Sequence, residues 1–331
     1  MPLLSLIVPV FNRPNEIEEL LLSLIQQSVV TDLEVVIVED GSNRRCDHII
    51  TQYKPQLPIQ YIFQQNTGPG PARNNGAKHA NGTYLVFLDS DVILPTNYIQ
   101  TVILNLANLS VDCFGGPDKA HESFTPVQKA ISYAMTSPLT TGGIRGSKKR
   151  MDKFYPRSFN LGIKKTVFDK IEGFSAMRFG EDLDLSMRLI ENGYCTGLFA
   201  DSWVYHKRRT TFKSFYKQVF NSGIARINLE KRHKGTLRLV HLLPAMFVMF
   251  NIIAFVSAMF VWQMAVLALL PAFIFLADAF IRTKELRASL LSVPASYTQL
   301  LGYGLGFIKA FYVRILMGKD EFHSFAKNFY K

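Results

Sequence analysis

Near-continuous apolar runs alternate with amphipathic helical periodicity over the first third of the chain. Residues 3–10, 33–38 and 85–88 are apolar runs bounded by turn residues, and residues 59–63 form a shorter one. This is the pattern of strands buried on both faces of a parallel sheet. Between the first two runs, Ile17, Leu20, Leu21, Leu24 and Ile25 recur at the spacing of one helix face, with Pro14 and Glu16 suited to its start. Residues 95–109 read as a further helix and 111–115 as a strand, after which the pattern loosens from 118 to 159. It resumes with Leu183, Met187 and Ile190 on one helical face, stopped by Asn192-Gly193, and with a final strand over 197–205. The alternation predicts an α/β fold with a Rossmann-like, mostly parallel sheet.

Beyond residue 230 the pattern changes to long apolar stretches. Residues 239–261 lack Lys, Arg, Asp and Glu altogether, and residues 264–281 carry one acid, Asp278. Both lengths reach what a membrane span needs, and basic residues flank the pair on both sides, so a helical hairpin with both ends in the cytoplasm is expected. Residues 290–317 contain Pro294, three glycines, Lys309 and Arg314. They read as an interfacial or re-entrant element, or as a third span. The expected division is a catalytic domain over 1–230 and an α-helical membrane-anchoring region over 231–331.

The net charge of +11 matters mainly for its location. Residues 207–238 hold ten Lys or Arg against one acid, Glu230, leaving only about +2 for everything else. A local basic segment of this kind suits a membrane flank or anionic headgroups and argues against nucleic acid as a partner. Three dispersed cysteines argue for a reducing compartment and against a disulfide framework. Met1-Pro2 leads straight into the first strand with no secretory signal, so the expected location is the cytoplasmic membrane, multi-pass, with the catalytic domain on the cytoplasmic side.

Candidate chemistry gathers at predicted strand ends, where open α/β sheets bind ligands. Asp89 and Asp91 follow the 85–88 strand and offer two hard oxygen donors, suited to Mg²⁺ or Mn²⁺ bridged to phosphates; Asp and Ser there also serve as turn or cap. Asp40 follows the 33–38 strand. The Gly/Pro run 66–77 leads into a helix carrying Arg73, which could reach a phosphate or base. It is neither a P-loop nor a dinucleotide fingerprint. Residues 140–150 read as a glycine-rich basic loop over the site. Glu181 and Asp182 open a helix, either to complement its dipole or to supply a base that the dipole keeps ionised. His206 lies at the last strand's end, as a structural residue or a ligand.

Five stretches in order, Ser5-Leu-Ile-Val-Pro-Val-Phe-Asn, Val38-Glu-Asp-Gly-Ser, Gly70-Pro-Ala-Arg-Asn-Asn-Gly, Phe87-Leu-Asp-Ser-Asp-Val and Gly180-Glu-Asp-Leu-Asp-Leu-Ser-Met-Arg-Leu, make residues 3–210 resemble a family 2 glycosyltransferase of the A-type fold. The resemblance implies inverting sugar transfer from a nucleotide-diphosphate sugar to an acceptor hydroxyl, here a lipid-linked or membrane-associated glycan of the cell envelope. It implies donor contacts from Pro9, Phe11, Asp40, Arg73 and Asp89, a metal held by Asp89, Asp91 and His206, and Asp182 as general base with Glu181 beside it. Processive members carry Gln-x-x-Arg-Trp after the base. Here the nearest string begins at Gln218 and has Asn221 in the arginine position, which favours single addition over a short-chain polysaccharide synthase. A nucleotide-sugar-binding membrane protein without activity is the other alternative.

Overall fold

The computed structural model describes residues 2–29, 32–121, 123–141, 154–261 and 263–324. The chain divides into two compact units, residues 1–121 with 150–207, and residues 122–149 with 208–331. Along the chain the first unit contributes β1 (Leu4–Val10), α1 (Pro14–Ile25), β2 (Leu33–Asp40), α2 (Asp47–Tyr53), β3 (Ile59–Gln64), α3 (Pro69–His79), β4 (Tyr84–Leu88), β5 (Val92–Ile93), α4 (Tyr98–Asn108), β6 (Cys113–Gly115) and β7 (Asp118–Lys119). The second unit then supplies α5 (Pro126–Thr136) and α6 (Pro138–Thr141). The chain returns to the first unit with β8 (Asn160–Lys164), α7 (Lys165–Lys170), α8 (Glu181–Glu191), β9 (Thr196–Leu198) and β10 (Val204–His206). It finishes in the second with α9 (Phe212–Arg232), a 3₁₀ turn at Leu239–His241, α10 (Leu243–Ala258), α11 (Gln263–Thr283), α12 (Leu286–Ala310) and a π-helical turn at Phe311–Leu316.

A seven-stranded sheet in the order β3-β2-β1-β4-β8-β6-β9 forms the first unit's centre, parallel except at β8. β1 sits inside it, and its apolar run is continuous because both faces are covered. Leu6, Val8 and Val10 pack in one core with Ile17, Leu20 and Leu24 of α1. Ile7 packs in the other with Ala72 and Ala77 of α3 and Leu185 and Leu189 of α8. The carboxyl ends of β1, β2 and β4 therefore share one edge, and the residues after them form the floor of the site.

Several expectations are corrected. The 197–205 strand is two short strands, β9 in the large sheet and β10 in a three-stranded sheet of order β5-β10-β7. β8, just after the loosened region, is not among the expected strands: its alternation rests on Leu161 and Ile163 alone with Gly162 between them, and its pairing with β4 and β6 imposes the conformation. The loop expected over 140–150 lies outside the described residues from 142 onward.

The membrane-spanning expectation is also corrected. Among the described residues no helix is long and apolar enough to cross a membrane. The 239–261 stretch opens with the 3₁₀ turn, leaving α10 with 16 residues, about 24 Å at 1.5 Å per residue. The 290–317 stretch lies in α12 and the π-helical turn after it, with one side packed on protein. α12 lies against α9 so closely that a Cβ on Gly306 would sit 2.0 Å from the Phe220 carbonyl oxygen, and one on Gly223 2.2 Å from that of Tyr303. Arg314, whose charge would be costly in lipid, is buried with its Nε donating to Asn228 Oδ1 (3.1 Å) and its Nη1 to the Lys319 carbonyl (2.8 Å).

Candidate active site

β4 ends at Leu88, and Asp89 and Asp91 follow in the turn into β5. β10 runs antiparallel to β5 with His206 opposite Val92, and Lys207 N–H donates to the Asp91 carbonyl (3.0 Å). This register delivers His206 to the two carboxylates. Its Nε2 lies 3.2 Å from Asp91 Oδ1 and 3.8 Å from Asp89 Oδ2. One ligand atom from each of the three residues falls within 4.8 Å of the others. His206 Nδ1 is buried without a hydrogen bond, with Asp118 Oδ2 3.9 Å away, and Phe159 stacks on the ring. Two carboxylates and an imidazole are a donor set that Mg²⁺ or Mn²⁺ accepts, so the residues fit the metal that the sequence suggests.

Arg73 ties this cluster to a second acidic pair. The side chain, on α3, is 3% exposed as a residue. Nη2 donates to Asp89 Oδ1 (2.6 Å) and Nη1 to Glu181 Oε1 (3.0 Å). Glu181 and Asp182 begin α8 after Gly180, whose φ of +88° sits in the left-handed region that a residue with a side chain resists. The two acids diverge electrostatically. Burial and the neighbouring Asp182 charge push the Glu181 carboxyl up to about 7 against the pull of Arg73. Burial pushes Asp182 the same way, but it is outweighed, and its carboxyl lies below the usual range. The lowering comes from Arg157, whose Nε donates to Asp182 Oδ2 (2.6 Å), from the Leu183 N–H on Oδ1 (2.8 Å), and from the Arg73 charge. The helix start alone does not keep a carboxylate ionised here, since Glu181 shares it and moves the other way.

Asp40, at the end of β2 and almost fully buried, organises the Gly/Pro loop. Oδ1 accepts from the Thr67 N–H (2.9 Å) and Gln64 Nε2 (2.8 Å), and Oδ2 from the Gly68 N–H (2.9 Å). Pro9 and Phe11 are half-buried at the end of β1. Three functional candidates escaped the sequence reading. Arg13 forms an ion pair with Asp91. Asn12-Arg13-Pro14 reads as a turn, although its place after β1 mirrors that of Asp89 after β4. Arg157 stands in the stretch without periodicity, so no local signal marks it. Glu39, wholly buried, accepts from Cys46 N–H (2.8 Å) and Tyr61 O–H (3.2 Å) and also from Ser42, holding the chain after β2.

Relatives match part of the chain. The validoxylamine A glucosyltransferase of Streptomyces hygroscopicus subsp. jinggangensis (strain 5008) is 28% identical over 232 residues, covering 61% of this chain and 55% of that protein. The chain thus spans about half the length of that relative. An uncharacterized glycosyltransferase of Haemophilus influenzae is 31% identical over 192 residues, 57% of this chain and 62% of its own. Among solved structures, the mannosyltransferase PcManGT from Pyrobaculum calidifontis, in complex with GDP-Man and Mn²⁺, superposes with a TM-score of 0.59 at 18% identity over 96% of this chain and 88% of that one. S. aureus TarS 1-349 in complex with UDP-GlcNAc does so with a TM-score of 0.52 at 19% identity over 90% and 92%. Likenesses at that identity establish a shared fold. The sequence model described as "Glycosyl transferase family 2" matches residues 5–181, more than half of the chain, and the chain belongs to that family.

Proposed function

We propose that this chain transfers a sugar, with inversion and one unit at a time, from a nucleotide-diphosphate sugar to an acceptor hydroxyl. The observation that carries the reading is the convergence of Asp89, Asp91 and His206 at a strand's carboxyl end, linked through Arg73 to the helix start bearing Asp182. In this reading Asp89, Asp91 and His206 hold Mg²⁺ or Mn²⁺. A metal bound there would neutralise charge on the departing diphosphate, an effect worth several kcal/mol.

Asp182, ionised at neutral pH, accepts the proton of the attacking hydroxyl, a role that typically supplies about 10²–10⁴-fold. Arg157 orients that carboxylate, and Glu181 and Arg73 hold the helix start against Asp89. Asp40 shapes the loop that receives the nucleotide base, with Pro9 and Phe11 along the neighbouring strand end. The donors named for the two solved neighbours, GDP-Man and UDP-GlcNAc, support a nucleotide sugar and leave its base and sugar open. Asn221 in place of the processive arginine supports single addition. The apolar surface after residue 238 supports a lipid-linked or membrane-associated glycan as acceptor. Three free cysteines support a cytoplasmic-side, reducing location.

Calorimetry of Asp91→Ala with Mn²⁺ and nucleotide sugars tests the site. The variant should fold but lose metal-dependent donor binding. Normal binding of both would end the metal-site reading.

A further inference from the structure

The second unit carries an apolar surface that its own packing does not use. α10 is apolar on both faces. Val248 and Ala254 are buried, while Met246 and Ile253 on the other side are exposed. α11 repeats this, with Phe275 and Ala279 inside and Phe273 and Ile281 outside. A surface helix of a globular unit turns a polar face outward, and contiguous exposed apolar patches mark membrane or partner contacts. α10 and α11 pack on each other and on α12, and only residues 259–262 connect them, so they form an antiparallel hairpin.

The hairpin is polarised. Its closed end exposes Met259 and Phe260, at 74% and 84%. Three backbone donors there are satisfied internally: Met259 N–H donates to the Val256 carbonyl (3.2 Å), and Phe260 and Val261 N–H both donate to that of Ser257 (3.0 and 2.9 Å). Such internal satisfaction is what a segment leaving water requires. Its open end carries exposed Arg238 before α10 and exposed Arg282 in the last turn of α11, Lys284 in the turn that follows and Arg287 at the start of α12. Residues 239–317 contain two acids, Asp278 and Glu285, and both are already paired, with Arg282 and Lys129.

We propose that the α10–α11 hairpin enters one leaflet of an anionic bilayer tip first, with Met259 and Phe260 in the acyl region and Arg238, Lys284 and Arg287 on headgroup phosphates. The length agrees. About 24 Å of α10 exceeds a single leaflet's share of a hydrocarbon core about 30 Å thick, yet falls short of the whole; α11 is longer, about 32 Å, and its last turns, which carry Asp278 and Arg282, stay outside the acyl region. The charge selects lipid over a second copy of the chain: another hairpin brings no unpaired acid to the basic end, since Asp278 and Glu285 are already paired, whereas anionic headgroups neutralise it. The inference rests on this surface alone and stands apart from the transfer reading.

Flotation of the full chain with vesicles of phosphatidylcholine, alone or mixed with phosphatidylglycerol, tests it without any sugar donor. The chain should float with the mixed vesicles. Met259→Glu/Phe260→Glu should reduce the partition coefficient by about tenfold or more, since each carboxylate would have to enter the acyl region. Lys284→Glu/Arg287→Glu should abolish the preference for phosphatidylglycerol. A nitrobenzoxadiazole dye on Phe260→Cys in a Cys195→Ser background should gain fluorescence on vesicle addition and resist a soluble quencher on either side of the membrane. Circular dichroism checks that each variant is folded. A tip variant that floats like the parent would overturn the proposal. So would a chain that ignores vesicles but sediments as a dimer dissociated by the tip substitutions. Quenching of the dye from the far side would show a crossing and overturn it as well.

Discussion

Replacing Arg73 by methionine removes the cation that joins Asp89 to Glu181. The two carboxylates respond differently. Asp89, with 29% of its side chain exposed, rehydrates, and its bridge is worth no more than a partly exposed pair, about 0–1 kcal/mol. The Glu181 side chain is 10% exposed and cannot rehydrate, so it is left as an uncompensated buried charge. Breaking a buried pair costs about 3–5 kcal/mol where the stranded charge stays ionised. Here protonation caps the cost: because the parent carboxyl already lies near 7, keeping it neutral at pH 8 adds only about 1.4 kcal/mol, one pKa unit's worth. The loss should depend on pH in a definite sense. The folded carboxyl of Glu181 already lies above its ordinary value, near 7, so its contribution to stability is full below about 4.5 and disappears as pH rises through 7. Without Arg73 that carboxyl rises further, and protonation spares the variant most of the penalty at pH 5. Urea unfolding of metal-free parent and Arg73→Met at pH 5 and pH 8 measures both numbers. Arg73→Met/Glu181→Gln, which has no charge left to strand, should recover much of the pH 8 loss. A loss at pH 8 no larger than that at pH 5, or a pH-dependent loss that Glu181→Gln leaves untouched, would refute the reasoning.

Arg157→Gln should move the acidic limb of the kcat/KM profile to higher pH, because Asp182 stays buried and loses the partner that lowers it; an unmoved limb would detach Arg157 from the base. Glu181→Gln should cost less turnover than Asp182→Asn, measured on the same donor, since only the latter removes the proton acceptor. Gly306→Ala should destabilise the second unit by about 3 kcal/mol, at the upper end for overpacking, because the added carbon meets backbone rather than a movable side chain; thermal unfolding reads this, and an unchanged midpoint would contradict the close α9–α12 contact.

The sheet was legible because β1, β2 and β4 are buried on both faces and so read as apolar runs, and the acids at their ends could be placed before any coordinates. His206 was legible as a candidate, but its meeting with Asp91 depends on the β5–β10 register, a pairing across more than a hundred residues that no local pattern encodes. Arg157 was invisible for the same reason: its partner Asp182 is 25 positions away, and the chain between them is irregular before β8. The apolar C-terminal stretches misled in an instructive way. Hydropathy counts apolar residues but does not register that the 3₁₀ turn shortens α10, nor that the glycines of α12 serve close contacts with α9 and α10.

The central claim is tested most directly by release of nucleoside diphosphate from a panel of nucleotide sugars, with and without Mn²⁺, by the parent chain and by Asp182→Asn. The substitution keeps shape and hydrogen bonding but removes the proton acceptor. The account predicts that the parent turns over at least one donor in a Mn²⁺-dependent way. Asp182→Asn should bind that donor with unchanged affinity and turn it over about 10²-fold or more slowly, the usual loss for a general base. A parent that binds none of the donors, or an Asp182→Asn chain as active as the parent, would contradict it.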